Sequence, residues 1–354
     1  MHTVGADVHV RNSYLDVTTD EGQALRRGRC PNSLADLAEF LAGIDPAEGF
    51  HVVIESTTNS RAIARMWQEY GQQAGVAVQA DVVNARKVRI IAESVCKTDR
   101  LDAQVLSELG RSNLRLPVCY VPDDEVFALR EHLRARQDLV QIRTMLKNRV
   151  HAVLHRRGIL TPEQDLFGKA GQEWLGQIEL DEAGRQIVSR FQEGLATIER
   201  TIAESTAMLR RIARQDRWSK QAALLQTIPG VGLITSLTML AELGDLSRFA
   251  SRAAVTNFVG LIPVTRLSND HGFQGRITRR GSRHLRAVLV EAAWVAIRRV
   301  PRYQALFERI KQRKHACTAI VAVARQILED GFTILRKGES FRFEGRRVVA
   351  SVPG

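Results

Sequence analysis

Short apolar runs alternate with amphipathic segments through the first 120 residues, a pattern typical of a mixed α/β domain. Residues 3–10 and 13–19 are rich in β-forming side chains and are separated by a polar Arg11-Asn12 turn, which predicts two adjacent strands. A third strand is predicted at residues 23–30. This part of the chain is therefore expected to begin with a three-stranded meander.

Helices and strands then alternate. The hydrophobic pattern predicts a helix at 34–41, a strand at 51–54, a helix at 60–71, a strand at 76–83 and a helix at 98–109. Three strands followed by helix, strand, helix, strand, helix is the order of a ribonuclease-H-like domain. A doubly wound nucleotide-binding fold is the alternative, but no glycine-rich phosphate loop follows the first strand.

The middle of the chain is predicted to form long helices. Residues 123–157 contain no proline or glycine, and their apolar positions recur at near-helical spacing, which predicts a helix of about 50 Å. A second stretch, 191–212, spaces its apolar residues by 4, 3, 4, 7 and 3, a heptad seam. The connector 158–184 holds Pro162 and five glycines. We predict an antiparallel or intermolecular coiled-coil arm, with two long helices of a bundle as the alternative.

From residue 221 onward the chain is predicted to be helical and basic. Residues 227–232 (Thr-Ile-Pro-Gly-Val-Gly) precede a small, apolar helix and resemble a helix-hairpin-helix turn. In such a turn Gly230 and Gly232 would let backbone N–H groups approach a phosphate at the helix N-terminus.

The fold class predicted for the whole chain is α/β plus all-α, in four segments. These are a ribonuclease-H-like (RuvC-like) catalytic domain at 1–120, a helical coiled-coil arm at 121–220, a helical domain at 221–340 and a weakly ordered tail at 341–354.

The net charge of the chain indicates which kind of partner it binds. The chain has 51 Lys plus Arg against 39 Asp plus Glu, a net charge of +12, which favours nucleic acid. Between residues 276 and 302 there are eight arginines and one acidic residue, an imbalance that a polyanion would neutralise. The candidate phosphate contacts are Arg276, Arg279, Arg280, Arg283 and Arg286.

Other partners and compartments are disfavoured. No apolar run approaches the roughly 18–20 residues of a membrane span, and no basic segment precedes an apolar stretch at the start. Four cysteines without a paired CxxC spacing indicate neither a zinc cluster nor a disulfide framework. We therefore expect a cytoplasmic protein without a membrane partner.

Four carboxylates are placed where they could meet. Asp7 and Glu55 each end a predicted strand, and Asp99 and Asp102 lie three apart on one helical face. Together they would suit Mg²⁺, most simply two ions that bridge a phosphate, and no neighbouring histidine or cysteine suggests another metal. Taken singly, each of three carboxylates also has a structural explanation. Asp7 could be a turn residue, and Glu55 could pair with an arginine. Asp99 could interact with the positive end of the dipole of a helix that Thr98 caps.

These segments resemble a known transposase family. Residues 4–8 (Val-Gly-Ala-Asp-Val), 53–57 (Val-Ile-Glu-Ser-Thr) and 97–103 (Lys-Thr-Asp-Arg-Leu-Asp-Ala) resemble its Asp-Glu-Asp-Asp domain, which is similar to Holliday-junction resolvases. Residues 258–263 (Phe-Val-Gly-Leu-Ile-Pro) and 275–286, with the 228–232 turn, resemble its second domain. The family belongs to bacterial insertion sequences and includes the pilin-gene invertases.

The resemblance implies a recombinase that cuts and rejoins donor and target DNA, with a structured non-coding (bridge) RNA selecting both. It also implies a nucleophilic serine in the second domain, which corresponds to Ser268. A phosphoserine ester would conserve the bond energy, so rejoining would need no ATP. The chain departs from the family pattern in having Asn269 after this serine, and Thr57-Thr58-Asn59 after the glutamate, where glycine is usual.

Several alternatives stay open. Ser282 is the second candidate nucleophile, although its position suits a helix cap, and His271 is a candidate proton shuttle or phosphate contact. A resolvase-like, metal-dependent nuclease without a covalent intermediate is the alternative function, and a non-catalytic nucleic-acid-binding protein is a third. The long seams predict a dimer or tetramer, because amphipathic helices otherwise expose an apolar stripe.

Overall fold

The computed structural model describes residues 1–84, 98–112, 116–162, 165–268, 271–343 and 346–347. The strands are β1 (His2–Val8), β2 (Asn12–Thr18), β3 (Ala24–Pro31), β4 (Phe50–Glu55), β5 (Val78–Val83), β6 (Pro263–Ser268), β7 (His271–Ile277), β8 (Arg342–Phe343) and β9 (Arg346–Arg347). The helices are α1 (Leu34–Leu41), α2 (Ser60–Ala74), α3 (Asp99–Arg111), α4 (Asp124–His155), α5 (Lys169–Gln177), α6 (Glu182–Ala213), α7 (Asp216–Gln226), α8 (Leu233–Leu243), α9 (Arg252–Val259), α10 (Arg283–Ala296), α11 (Pro301–Lys311) and α12 (Ala316–Lys337).

The chain divides into two compact units, Met1–Val121 and Pro122–Gly354. In the first, five strands form one sheet in the order β3-β2-β1-β4-β5. β1 pairs antiparallel with β2 and parallel with β4, and β4 pairs parallel with β5. This mixed sheet, with the predicted order of strands and helices, is consistent with a ribonuclease-H-like fold.

Helices cover both faces of this sheet, which is why its central strands are buried on both sides. Val4 and Ile54 face the core that Trp67 of α2 completes. On the opposite face, Val53 packs against Leu106 of α3. Since successive side chains of a strand alternate between faces, α3 lies over the face to which the odd-numbered residues of β1 point.

Two helices of 32 residues each, α4 and α6, confirm the prediction of long helices, and each spans about 48 Å. They pack antiparallel: Arg136 Nε donates to Thr206 Oγ1 at 2.8 Å, and near the other end of the pair Arg157 Nη2 donates to Asp181 Oδ2 at 3.1 Å. The two long helices are thus antiparallel neighbours within one chain, an arrangement that fits both an antiparallel arm and two helices of a bundle.

The seam of α6 shows the expected heptad. Its buried apolar side chains are seven residues apart: Val188, Leu195, Ile202 and Leu209. The connector between the long helices is not merely a loop, since it contains α5, whose Leu175 packs with Leu166 against Leu154 of α4. Glycine and proline in this stretch obscured that short helix.

A third core joins the base of the long helices to α7–α12, with Leu129 of α4 and Leu209 of α6 packed among their side chains. The prediction of an entirely helical C-terminal segment is wrong, because β6 and β7 form an antiparallel hairpin there. The predicted tail lies largely outside the described residues, although Arg342–Phe343 and Arg346–Arg347 pair with each other. Among the described residues, no helix combines the length and the apolar character needed to cross a membrane.

Candidate functional site

The first two carboxylates lie side by side at the ends of parallel strands. Ala6 of β1 is in register with Ile54 of β4, so the next residues, Asp7 and Glu55, are neighbours across the sheet. Asp7 is 7 % exposed, whereas Glu55 is half-buried. The carboxyl ends of adjacent parallel strands therefore place two acidic groups together.

Helix α3 brings the other two. Thr98 caps it, with its side chain accepting from the Leu101 backbone N–H at 3.3 Å, so that Asp99 and Asp102 occupy the first turn. The helix is fastened to the sheet farther along, where Ser107 Oγ donates to Asp16 Oδ2 of β2 at 2.5 Å. Arg111 Nη1 likewise donates to Thr18 Oγ1.

We call Asp7, Glu55, Asp99 and Asp102 the carboxylate site, because the charges of the other three carboxylates all act on Asp7. Burial raises the pKa of Asp7 above its ordinary value of 3.8, and the charges of Asp102, Glu55 and Asp99 raise it further. A buried carboxyl group surrounded by three like charges is a costly arrangement that a bound cation would relieve. The donor set thus fits divalent metal, and its oxygen content suits Mg²⁺.

Gly5 determines how closely α3 approaches β1. A Cβ built at Gly5 would overlap the carbonyl oxygen of Ala103 and the amide nitrogen of Ser107 in α3. Gly5 lies two residues before Asp7, on the same face of β1, and Ala103 directly follows Asp102. The missing side chain thus lets the first turn of α3 reach Asp7.

We expect Gly5→Ala to destabilise the protein by about 3 kcal/mol, because the overlapping atoms belong to backbone and cannot rotate away. Gly176→Ala is the matched control: Gly176 lies within α5 with nothing within 4 Å of an added Cβ, so this change should be neutral or slightly stabilising. Urea unfolding of both variants measures the difference. Equal stability of the two would show that the Gly5 contact does not hold α3.

His9 is a site residue that the sequence interpretation missed. Its Nε2 lies 3.4 Å from Asp7 Oδ2 and 3.5 Å from Asp99 Oδ1, and one ligand atom from each of the three residues lies within 4.8 Å of the others. The charge of His9 also lowers the pKa of Asp7, opposing the carboxylates. The expectation that no histidine lies near the carboxylates was therefore wrong.

Two asparagines hold the backbone at His9. Asn32 Nδ2 and Asn59 Nδ2 both donate to the His9 carbonyl oxygen at 2.8 Å. Asn59 belongs to the segment in which the chain departs from the resembled pattern, so here an amide side chain ties the loop after β4 to the end of β1. On the other side of the site, Arg29 Nη2 donates to Asp99 Oδ2 at 3.1 Å.

The serine candidates lie in the second unit. Ser268 is the last residue of β6 and pairs with His271 of β7, while Asn269, Asp270 and the Ser268 side chain lie outside what the structure describes. Ser282 precedes α10, and its Oγ accepts from the Leu285 backbone N–H at 3.1 Å. Ser282 therefore has a structural role as a helix cap.

The arginines around α10 differ in how far their side chains are exposed to solvent. Arg279, Arg280 and Arg283 are exposed, and the side chain of Arg276 lies outside the described part. Arg286 is half-buried, with Nη1 donating to the carbonyl oxygens of Val259, Arg280 and Gly281. Burial lowers the pKa of Arg286, as do the nearby charges of Arg279 and Arg283.

The two glycines of the 227–232 turn have different surroundings. Gly230 has φ 96° and its missing side chain admits the Ala292 carbonyl of α10, so its conformation and packing both require glycine. Gly232 is exposed, has open space around it, and precedes α8, whose N-terminus has no side-chain cap. Only the second glycine leaves helical N–H groups open to a ligand.

Comparison with known proteins identifies two family models along the chain. A model described as a transposase (DEDD_Tnp_IS110) matches residues 4–157, and one described as the transposase IS116/IS110/IS902 family matches residues 222–308. The first match contains the whole carboxylate site, and a DEDD transposase domain indicates a divalent metal ion. The second match covers α8, α9, α10 and the β6–β7 hairpin.

Individual relatives agree with these models. The transposase for insertion sequence element IS1328 of Yersinia enterocolitica is 24% identical over 344 residues, covering 96% of this chain and 98% of the relative. That for IS1111A of Coxiella burnetii is 26% identical over 284 residues, with 76% and 74% covered. The pilin gene-inverting protein of Moraxella bovis is 32% identical over 124 residues, which is 34% of this chain and 38% of that protein.

Proposed function

Because the chain belongs to the IS110/IS116 family of transposases, we propose that it moves an insertion element with a divalent-metal site and a serine nucleophile. The observation that carries this proposal is the environment of Asp7, which is buried among three other carboxylates. Binding of Mg²⁺ would offset this concentration of negative charge, which supports a metal-binding role for the four carboxylates.

The carboxylate site would hold two Mg²⁺ ions. Bound there, the metal would neutralise charge on the scissile phosphate and favour loss of a proton from the attacking hydroxyl. Arg29 engages one oxygen of Asp99, which restricts the rotation of that carboxylate and leaves its other oxygen, next to His9, for a ligand. His9, with its backbone carbonyl held by Asn32 and Asn59, is fixed at the edge of the site.

The proposed serine step exchanges one phosphodiester for another. The Ser268 oxygen bonds to phosphorus, the bond from phosphorus to the leaving deoxyribose oxygen breaks, and the serine proton passes to a base while the leaving oxygen is protonated. Attack by a strand-end hydroxyl on the phosphoserine then reverses the exchange. No external energy source is needed, since each bond broken is replaced by a similar one.

A hydrolytic, resolvase-like nuclease is the second candidate. It is favoured by the position of all four carboxylates within the first compact unit, which alone would contain a complete metal site. In that case water attacks phosphorus, and no protein–DNA bond forms.

Denaturing electrophoresis of a labelled element end distinguishes the two candidates. The labelled DNA is incubated with full-length protein and Mg²⁺. If the protein is a transposase with a serine nucleophile, part of the DNA should migrate as a covalent protein–DNA adduct, and protease should remove this shift. EDTA should suppress it. Cleaved DNA that is free of protein under the same conditions, with no rejoined product, would overturn the serine mechanism in favour of hydrolysis.

DNA contacts are proposed for the basic surface around α10. Arg279, Arg280 and Arg283 offer exposed guanidinium groups, and the uncapped N-terminus of α8 at Gly232 offers backbone N–H groups. Arg276 and Arg286 belong to the same proposed surface. The three carbonyl contacts of Arg286 also fix the 280–281 backbone, so this residue orients its neighbours.

Guide RNA and self-association complete the proposal. The chain carries a net charge of +12, which favours a second polyanion beside DNA, and we propose a structured RNA that pairs with donor and target. Ile142 and Met145 of α4 and Met208 of α6 are exposed apolar side chains, which favours a dimer or tetramer formed through the long helices. Sequencing of co-purified RNA and sedimentation of the purified protein test these two points.

A further inference from the structure

A cleft of about 860 Å³ lies in the second unit, and Arg279 is the one residue assigned above among its described lining residues. Its walls are the end of α11, the first half of α12 and the base of the β6–β7 hairpin; we call it the α11–α12 cleft. Five cationic side chains line it: Arg279, Arg309, Arg313, Lys314 and Arg325. No acidic side chain is among its described lining residues.

These cations are largely uncompensated. Arg325 pairs with Glu329 at 2.8 Å, but the other four form no ion pair within the described part of the chain. Arg309, Arg313 and Lys314 follow one another closely where α11 gives way to α12, and all three are exposed. Such a concentration of like charge costs free energy unless an anion binds there. The N-terminus of the 22-residue α12 adds the positive end of its dipole.

The floor of the cleft is apolar. Leu261, Ile277 and Ile310 contribute to it, together with Val321 and Ala322 of α12. A duplex presents phosphates on a convex surface and would touch only the cationic rim. A single strand can turn one base out of its stack, and the base then finds an apolar surface below the phosphates.

Arg279, one of the cations that line the cleft, has a strained backbone conformation. Arg279 has φ 52°, a left-handed conformation and the only such non-glycine residue among those described. Gly260 has φ 77°, and the absence of its side chain lets the Arg280 backbone pack against it. Packing of this segment thus maintains the strain, which is typical of backbone that positions a functional group.

We propose that the α11–α12 cleft binds a single-stranded nucleic acid, with its phosphates on the cationic rim and one unstacked base on the apolar floor. This inference rests on the proposed function, because it takes the protein to act on nucleic acid. The hairpin whose base forms one wall of the cleft carries Ser268 at its other end. A base held in the cleft would therefore fix the register of a strand along this hairpin.

A short single-stranded DNA containing 2-aminopurine, whose fluorescence rises when the base unstacks, tests the proposal. It is titrated with full-length protein in EDTA, alongside the same sequence as RNA and as duplex DNA. We expect fluorescence to rise with a single strand and to stay unchanged with the duplex. Arg309→Glu with Arg313→Glu should weaken single-strand binding by at least about tenfold and reduce the salt slope by roughly 1.4, the value for two phosphates.

Arg190→Glu with Arg200→Glu is the charge-matched control, since both arginines are exposed on α6 and outside the cleft. This pair should change single-strand affinity by less than about threefold. Ala322→Phe fills the floor without a change of charge, and it should abolish the fluorescence rise while retaining the salt slope. Signals from DNA, from RNA or from both identify which strand the cleft takes.

No fluorescence rise with either single strand, or equal weakening by the cleft and control pairs, would overturn the proposal. The assay contains no metal and requires no cleavage, so it is independent of the carboxylate site. A protein that recombines DNA but shows no unstacking would contradict the cleft alone. Unstacking by a protein that never cleaves DNA would contradict the proposed function alone.

Discussion

Asp7→Asn is expected to raise the thermal stability of the metal-free protein while abolishing strand cleavage. The asparagine keeps the shape of the side chain but removes a buried charge that Asp102, Glu55 and Asp99 repel. The same change removes a metal ligand, and metal stabilises the transition state by several kcal/mol, so cleavage should fall by at least about 10³-fold. Scanning calorimetry in EDTA and a cleavage assay in Mg²⁺ measure the two effects.

The stability gain should depend on pH in a defined direction. Because the pKa of Asp7 is raised in the folded state, the folded protein binds this proton more tightly than the unfolded chain does. Its ionisation therefore costs stability as pH rises from the unfolded value of 3.8 through the folded value. The advantage of Asp7→Asn over the native protein should be largest near neutral pH and shrink toward pH 3.8.

Asp16→Asn is the matched control, with the opposite expected sign. Asp16, like Asp7, is a buried aspartate of this sheet, and it is 1% exposed. Unlike Asp7, it accepts hydrogen bonds from Arg27 and from Ser107. Loss of its charge should destabilise the protein by about 1–3 kcal/mol. Mg²⁺ should raise the melting temperature of the native protein more than that of Asp7→Asn. A lower melting temperature for Asp7→Asn in EDTA would contradict the charge repulsion described for this site.

The places of the four carboxylates on strands and helix were predictable, because they follow short-range rules. Acidic residues at the ends of apolar strands, and two aspartates three apart after a capping threonine, are visible without knowledge of tertiary structure. Parallel pairing of β1 with β4 then brings Asp7 and Glu55 together. The order of strands and helices in the first unit followed from the same local patterns.

His9 could not be placed by the same reasoning. Strand β1 ends at Val8, so the alternation of side chains no longer predicts where His9 points. Its position depends on Asn32 and Asn59, which are distant in sequence and meet only at the His9 carbonyl. A histidine two residues after a predicted metal ligand was nevertheless a signal for a nearby donor.

The β6–β7 hairpin was missed for a different reason. Arg266 and Gln274 interrupt its apolar pattern, and the glycines at 272 and 275 weaken a strand prediction. The polar Asn269-Asp270 pair between two β-rich segments was the available hairpin signal. For the long helices, the heptad of α6 predicted a partner helix, but a seam alone does not distinguish a partner in the same chain from one in another.

Ser268→Ala is expected to abolish the covalent protein–DNA adduct while leaving nucleic-acid binding and metal binding intact. Removal of a nucleophile typically costs at least about 10⁴-fold, because no neighbouring group replaces the attacking atom. Ser268 stands at the end of β6, opposite His271, and precedes an arginine-rich segment whose guanidinium groups would offset charge on the phosphate. Ser268→Cys, which keeps a nucleophilic atom, should retain a trace of adduct.

Ser282→Ala is the control for this prediction, and the structure specifies its effect. The Ser282 hydroxyl accepts from the Leu285 N–H at 3.1 Å, so its loss should cost about 1 kcal/mol of stability as a missing helix cap. The adduct should form normally in that variant. Peptide mapping of the trapped complex should locate the phosphate on Ser268. A phosphate on Ser282, or undiminished adduct from Ser268→Ala, would show that another residue attacks the DNA.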